Sequence, residues 1–270
     1  EQFGQRVVPL SLLDLFAAVR ELSDEDPEVV SIVRDIRGRA EVEVSDEVLV
    51  KSAKLELALK DFAGSKGLSG MGIQCWTAME EEYGISPCLA MGRLTDQGIM
   101  CACEVDILGV LTMLIQYSAS MKRTVPHFID WTIRHQEDED TFLAWHCGNA
   151  PMSLAGGPIC IRGHSILDAL LGEERVGGTA EMQLKPGAVT LNRLVEYEGR
   201  FKLLVARGEI VPSDQKLRGS WAWVKVPDLD GLYRTLVEEG FVHHASLVHG
   251  DLTWEIREFC KFAGIEVVEV

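Results

Sequence analysis

Residues 100–118 read Met-Cys-Ala-Cys-Glu-Val-Asp-Ile-Leu-Gly-Val-Leu-Thr-Met-Leu-Ile-Gln-Tyr-Ser, and this stretch decides the fold of the first part of the chain. The short apolar run Met100–Cys103 is typical of a buried strand, and the longer apolar run over 108–118 predicts a helix directly after it. Strands that alternate with helices in this way are typical of an open α/β layer whose sheet is mostly parallel.

The same alternation extends toward the N-terminus. Ser11 and Ser45 each precede a helical pattern and are good N-cap residues, because a serine hydroxyl accepts a hydrogen bond from a free backbone N–H of the first turn. The elements predicted here are helices over 12–22, 27–37 and 46–63 and a short buried strand over 71–75. We therefore expect residues 1–121 to form a partial, open parallel-sheet α/β domain.

After residue 121 the pattern changes to short runs of alternating polar and apolar residues. Such runs predict antiparallel strands, and Glu198-Gly199 between two of them predicts a hairpin turn. The predicted strands are 128–131, 142–146, 179–184, 188–197, 200–207, 220–226 and 246–248, with helices over 229–239 and 252–262. We expect residues 122–270 to form an α+β domain with helices around an antiparallel β-barrel-like core.

The composition narrows the class of protein. The 270 residues carry a formal net charge of −16 and no cluster of Lys and Arg, which argues against a nucleic-acid partner. No apolar run reaches the roughly 18 residues that a membrane-spanning helix needs, so no membrane partner is expected. The seven cysteines include no Cys-x-x-Cys pair, and we interpret them as reduced, buried residues of a cytoplasmic protein.

Two carboxylates stand at the ends of apolar strands. Glu104 directly continues the strand Met100–Cys103, where a half-buried charge is costly unless a partner or a metal ion compensates it. Asp106, two residues later, has the simpler interpretation of an N-cap for the following helix. Asp130 closes another apolar run, in Pro126-His-Phe-Ile-Asp130-Trp131, where a turn residue is an equally good interpretation.

Three of the seven histidines lie within seven residues, in His243-His244-Ala-Ser-Leu-Val-His249. A single histidine is usually a core or surface residue, but this cluster borders a short strand just before a helix. Two carboxylates and an imidazole form a mixed oxygen and nitrogen ligand set. That set suits Mn²⁺, with Zn²⁺, Fe²⁺ or Co²⁺ as alternatives, and leaves positions open for substrate.

These motifs together resemble those of the L-fucose isomerases and L-arabinose isomerases. The resemblance covers roughly residues 70–270 and is carried by Gly72-Ile-Gln-Cys-Trp76, Cys103-Glu-Val-Asp-Ile-Leu-Gly-Val-Leu-Thr-Met-Leu114, Phe128-Ile-Asp130-Trp131, Gly177-Gly-Thr-Ala and Leu247-Val-His249-Gly-Asp-Leu. It implies that Glu104, Asp130 and His249 bind a divalent metal, with Mn²⁺ expected, between the two domains. It also implies that Glu104 and Asp130 form the acid/base pair.

The resemblance implies further roles. His146 lies where arabinose isomerases have an additional metal-binding histidine, Gln74 matches a substrate-contacting glutamine, and Asn149 would line the pocket. Trp131 would form a wall against the sugar, although a core position is equally compatible. The expected activity is the interconversion of an aldose and its ketose, a pentose or 6-deoxyhexose, through an enediolate. The family forms trimers or hexamers, so a homo-oligomer is expected.

The sequence also departs from that family and leaves alternatives open. The isomerases begin with an additional α/β domain that nothing here matches, so we expect the chain to be a fragment that could lack activity alone. One alternative is a non-catalytic carbohydrate-binding or regulatory module of the same fold. Others are a sugar epimerase or aldolase that forms an enediolate, or a plain structural domain with solvated acidic turns.

Overall fold

The computed structural model describes residues 3–171 and 177–270. The helices are α1 Leu12–Glu21, α2 Pro27–Arg39, α3 Asp46–Lys66, α4 Cys88–Asp96, α5 Ile107–Ala119, α6 Asp168–Leu171, α7 Leu229–Glu238 and α8 Thr253–Ala263. The strands are β1 Glu41–Val42, β2 Gly70–Ile73, β3 Met100–Cys103, β4 His127–Arg134, β5 Thr141–His146, β6 Cys160–Gly163, β7 Gly177–Gln183, β8 Gly187–Tyr197, β9 Arg200–Val211, β10 Ser220–Lys225, β11 His244–His249 and β12 Glu266–Glu269.

The first part of the chain packs helices around a small parallel sheet. Ser11 and Ser45 cap α1 and α3 as predicted, because their hydroxyls accept hydrogen bonds from the backbone N–H groups of Leu13 and Val48. The parallel pairing of β2 with β3, with Ile73 opposite Cys103, confirms the predicted strand direction. Within the described residues this sheet has two strands, which is smaller than the open layer expected from the sequence.

The second part is built on a closed antiparallel barrel, which confirms the predicted barrel-like core. Six strands follow one another in the order β10, β5, β4, β11, β8 and β9, and β9 then pairs with β10 to close the sheet. The β8–β9 hairpin turns at Glu198-Gly199, where both residues have positive φ, 53° and 78°. Fully buried side chains fill the interior, among them Ile129, Phe142, Leu191, Ala222 and Leu247.

The sheet also extends beyond the barrel. β7 pairs in parallel with β10, β6 pairs with β7, and β1 adds in parallel to β6 with Glu41 opposite Cys160. Residues from the N-terminal part therefore form the edge of the sheet that the C-terminal part builds. The overall class is a mixed α+β fold, and the division at residue 121 remains a prediction.

Helix α5 is fastened to the outer face of the barrel by a buried hydrogen-bond network. Gln116 is fully buried, and its Nε2 donates to Oδ1 of Asn192 (2.8 Å) and to the carbonyl of Ser246 (3.0 Å). The Ser246 hydroxyl donates in return to Gln116 Oε1 (2.6 Å). A satisfied network of this kind fixes its elements relative to one another, because each broken bond leaves a buried polar group unpaired. The C-terminal half of α5 is thereby held against β8 and β11.

Two further predictions concern the whole chain. Six of the seven cysteines are buried and Cys160 is half-buried, and all seven are free thiols. In the part of the chain that the structure describes, no helix combines the length and the apolar character needed to cross a membrane.

Candidate metal centre

A tight turn after β3 places the first carboxylate. Glu104 and Val105 both have φ of +57°, and the Asp106 N–H donates to the Cys103 carbonyl at 3.0 Å, which closes the turn. The left-handed region is unfavourable for a β-branched residue such as Val105. A Cβ at Gly72 on the neighbouring strand would lie 2.9 Å from the Val105 carbonyl carbon, so glycine is required for β2 to pack against this turn. The strained turn directs Glu104 to the carboxyl end of the sheet.

Asp106 is the N-cap of α5, as predicted, and it also binds two side chains of the C-terminal part. Its Oδ1 accepts the Gly109 N–H at 2.7 Å, as a cap should, while its carboxylate also binds the Arg193 guanidinium and accepts a hydrogen bond from His244 Nδ1 at 3.0 Å. Burial alone would raise the pKa of Asp106, but the hydrogen bonds from His244 and Arg193 hold it well below its ordinary value. Asp106 is therefore a buried anion that orients His244.

His244 is the imidazole that faces the predicted carboxylates. It begins β11 directly opposite Asp130 on β4, and its side chain is 7 % exposed. With Nδ1 bound to Asp106, its Nε2 lies 3.7 Å from Asp130 Oδ1 and 3.8 Å from Glu104 Oε2. Both distances are too long for hydrogen bonds. A histidine whose second nitrogen is held by a carboxylate has the arrangement that orients metal ligands in proteins.

Asp130 supplies the second carboxylate. Its Oδ1 is buried and has no hydrogen-bond partner among the described residues. Burial raises the pKa of Asp130 to about 6, with Glu104 adding to the rise and His244 opposing it. An unpaired buried carboxylate oxygen beside a second carboxylate and an imidazole is unfavourable in the absence of a cation.

His146 joins this group from the end of β5. Ligand atoms of Asp130, His146 and His244 all lie within 4.8 Å of one another, and so do those of Glu104, His243 and His244. His146 is buried, and burial lowers its pKa well below the ordinary value, so the ring is neutral as a metal ligand must be. Its Nδ1 accepts the Cys147 N–H at 2.9 Å, so the hydrogen of the neutral ring lies on Nε2, and the ring would have to give up this hydrogen bond before Nε2 could bind a metal.

The structure does not bring the predicted ligand His249 into this group, and this is a correction. His249 ends β11, where its Nε2 donates to the Lys185 carbonyl at 2.9 Å. Five residues along a strand separate it from His244, which is about 16 Å at roughly 3.3 Å per residue. His249 and His244 therefore lie at opposite ends of one strand. The signal that could have distinguished them is the pairing of His244 with Asp130, which one strand alone does not encode.

The predicted substrate residues have different environments. Gln74 is exposed just beyond the carboxyl end of β2. Asn149 is buried, its Nδ2 donates to the Cys103 thiol at 3.5 Å, and its Oδ1 has no partner among the described residues. Trp131 packs against Phe142 at a ring distance of 5.3 Å beside the barrel core, which favours the core interpretation. Asn149 thus lies beside the strand that carries Glu104, and Trp131 packs on the core while its indole N–H has no partner among the described residues.

Taken together, Glu104, Asp130, His146 and His244 form a mixed oxygen and nitrogen donor set. The orphaned Asp130 oxygen and the His244 nitrogen, which faces two carboxylates without a hydrogen bond, are the features a divalent cation would satisfy. The residues therefore fit a metal ion of the Mn²⁺, Fe²⁺, Co²⁺ or Zn²⁺ type, and carboxylates beside it provide acid/base groups.

Comparison with known proteins finds that this chain is similar to sugar isomerases. Residues 144–270 match the family model described as L-fucose isomerase, C-terminal domain. A sulfoquinovose isomerase of Alkalicoccus urumqiensis is 30% identical over 271 residues, which cover 99% of this chain and 59% of that protein.

Two other relatives are more distant. A sulfoquinovose isomerase of Priestia aryabhattai is 26% identical over 224 residues, 82% of this chain and 48% of that protein. The L-arabinose isomerase of Geobacillus kaustophilus (strain HTA426) is 24% identical over 284 residues, 100% of this chain and 55% of that protein. The chain thus spans 48–59% of the length of these relatives.

Proposed function

We propose that this chain, which is similar to L-fucose and L-arabinose isomerases, carries the metal ligands and the acid/base groups of an aldose–ketose isomerase. The observation that carries the proposal is the convergence of Glu104, Asp130 and His244 at one point, with His146 beside them. A domain that only binds sugar would have no need for an unpaired buried carboxylate next to a second acid.

Glu104, Asp130 and His244 would hold the ion, with His146 as a fourth ligand, and Mn²⁺ is the expected metal. When bound, the ion supplies Lewis-acid polarisation of the carbonyl end of the sugar. Asp106 keeps His244 in the orientation that binding needs, since Nδ1 is held by Asp106 and Nε2 faces Asp130 and Glu104. His244 takes the role that the sequence assigned to His249.

The acid/base work falls to the two carboxylates. Glu104 is 47 % exposed in its side chain and stands on the open side of the group, where a sugar can reach it. In the forward direction we assign to it the removal of the proton from C2, which yields an enediolate. Return of that proton to C1 completes the ketose. Asp130 is more buried, at 21 % exposure, and is suited to exchange the proton of the sugar oxygens.

The substrate class follows from the relatives. Sulfoquinovose and L-arabinose are the first sugars to test, together with other pentoses and 6-deoxyhexoses. The exposed side of the site, with Gln74 and Glu104 open to solvent, supports a homo-oligomer in which further protein covers the pocket and excludes water. The seven free thiols support a reducing compartment, the cytoplasm.

The decisive experiment measures metal binding first and turnover second. Metal-free chain is titrated with Mn²⁺ by calorimetry, and the sugars above are then incubated with the metal-loaded protein while ketose is quantified. We expect one ion per chain, and a Glu104→Gln variant that folds but loses about 10²–10⁴-fold in turnover. Near-normal activity in that variant would exclude the assigned role. Absence of any bound divalent ion would exclude the metal centre.

A further inference from the structure

His164 is a buried histidine that the metal centre does not use. It follows β6, has no exposed surface, and its Nδ1 accepts the backbone N–H groups of Ile166 (3.2 Å) and Leu167 (3.3 Å). A nitrogen that accepts carries no proton, so the hydrogen of the neutral ring lies on Nε2. Nε2 is buried and has no hydrogen-bond partner among the described residues. An N–H donor fixed in this way and left unpaired is costly.

His164 lies at the edge of the candidate site. Its ring meets the ring of Trp76 edge-on, with centroids 5.6 Å apart, and Trp76 follows the exposed Gln74 at the carboxyl end of β2. Cys75, between them, receives a backbone hydrogen bond from Glu104. His164 is also close enough to His146 for its charged form to lower the pKa of that residue. The unpaired donor therefore lies near residues that adjoin the carboxylates, Trp76 and His146.

A matching acceptor lies on the neighbouring loop. Asn149 Oδ1 is buried without a partner among the described residues, and Asn149 is 4 % exposed. The two loops are tied together at Thr179, whose hydroxyl donates to the Gly163 carbonyl at 3.3 Å. Gly148 packs so closely on Thr179 that an added Cβ would lie 2.6 Å from the Thr179 Cβ. A donor and an acceptor, both buried and both unpaired, thus flank the same end of the sheet.

We propose that His164 Nε2 and Asn149 Oδ1 bind one neutral hydroxyl of the sugar, remote from the end that meets the carboxylates, with Trp76 covering it. The proposal rests on the isomerase function above. A hydroxyl can accept from the histidine and donate to the amide oxygen at once, which satisfies both orphaned atoms. Burial lowers the pKa of His164 to about 4, so the ring is uncharged at neutral pH and selects a hydroxyl rather than an anionic substituent.

The test compares a substrate with its deoxy analogues at C3, C4 and C5 in wild-type protein and in His164→Phe, which keeps a planar ring but removes the donor. In the wild type, loss of the recognised hydroxyl should lower kcat/KM by about 10²-fold or more. In His164→Phe, kcat/KM for the parent sugar should fall by a similar factor, and kcat/KM for the deoxy analogue should be no lower than that of the parent sugar. Mn²⁺ affinity should stay within about threefold, because His164 is not among the ligands.

Asn149→Leu provides a second variant if His164→Phe does not fold, and it should erase the same discrimination at the same carbon. If a folded variant still distinguished the parent sugar from its deoxy analogue as well as the wild type does, the assignment of His164 and Asn149 would be wrong. The proposed isomerase function would be unaffected by that result. Metal-loaded wild-type protein that converts no sugar would overturn the proposed function, and this inference with it.

Discussion

Strand β11 has a histidine at each end, and the two histidines are surrounded by different residues. At the first end, His244 lies among Glu104, Asp106 and Asp130, and one of its nitrogens has no hydrogen-bonding role. At the other end, the Nε2 of His249 donates to the carbonyl of Lys185 and its Nδ1 is also unpaired, but His249 belongs to no cluster of potential metal ligands among the described residues. The difference teaches that register, rather than residue type, decides which histidine can bind a metal, since only His244 lies opposite Asp130 on β4.

The sharpest way to break this comparison is to remove each histidine in turn. His244→Gln should lower Mn²⁺ affinity by more than about 10²-fold, because a direct ligand outweighs the 10–100-fold typical of a supporting partner. His249→Gln serves as the matched control and should stay within about threefold. Calorimetric titration of both variants checks the expectation. Equal losses at the two positions would contradict the placement of the metal.

Removing the support of His244 should have the next largest effect. Asp106→Asn keeps the shape of the cap but not the charge that pairs with His244 and Arg193, so Mn²⁺ affinity should fall by about 10–100-fold. Asp138→Asn, which breaks only an exposed pair with Lys225 (2.8 Å), is the control and should change nothing at the metal. An unchanged affinity in Asp106→Asn would show that His244 needs no orientation.

The pH dependence of the metal-free protein tests Asp130. Burial raises its pKa to about 6 in the folded chain, above the ordinary value of 3.8. Its contribution to stability is therefore fully present below the unfolded pKa and is lost as pH rises through about 6. The loss amounts to about 3 kcal/mol at 1.36 kcal/mol per pKa unit.

Urea denaturation in a chelator at pH 5 and pH 7.5 measures about half of this loss, about 1.4 kcal/mol, because the unfolded carboxyl is already mostly ionised at pH 5. Asp130→Asn should abolish most of it and should make the metal-free protein more stable at pH 7.5, whereas Asp61→Asn on the exposed side of α3 should leave the pH profile unchanged. An identical profile in wild type and Asp130→Asn would mean that the carboxylate is not desolvated.

The smallest expected effect concerns the turn that presents Glu104. Val105 is 50% exposed and holds φ of +57°, so Val105→Asn should raise the free energy of unfolding by about 1 kcal/mol through relief of left-handed strain. Val237→Asn, at an 82% exposed helical position, is the control and should show no such gain. Chemical denaturation separates the two, and a loss of stability in Val105→Asn would exclude strain at this turn.

Local chemistry was sufficient to predict much of this molecule. Asp130 was expected to close its strand but lies inside β4, which continues to Arg134, whereas the caps at Ser11 and Ser45, the β8–β9 hairpin at Glu198-Gly199 and the position of Glu104 at a strand end all depend on a few neighbouring residues. Such features are encoded by short segments, so a single sequence reveals them.

Non-local pairing was not predictable in the same way. The choice between His244 and His249 depends on the register of β11 against β4, and the triple role of Asp106 depends on Arg193 from a distant strand. Helix α4, in which eight of nine residues are buried, was not predicted from the sequence.

The network around Gln116 has a consequence for the choice of ion. Because Gln116 is bonded to both Asn192 and Ser246, α5 cannot slide along the barrel without unpairing several buried groups. The distance between the Glu104 turn and the His244 ring should therefore vary little. We expect the site to discriminate between divalent cations by ionic radius, because an ion that is too large or too small cannot contact all of the donor atoms at once.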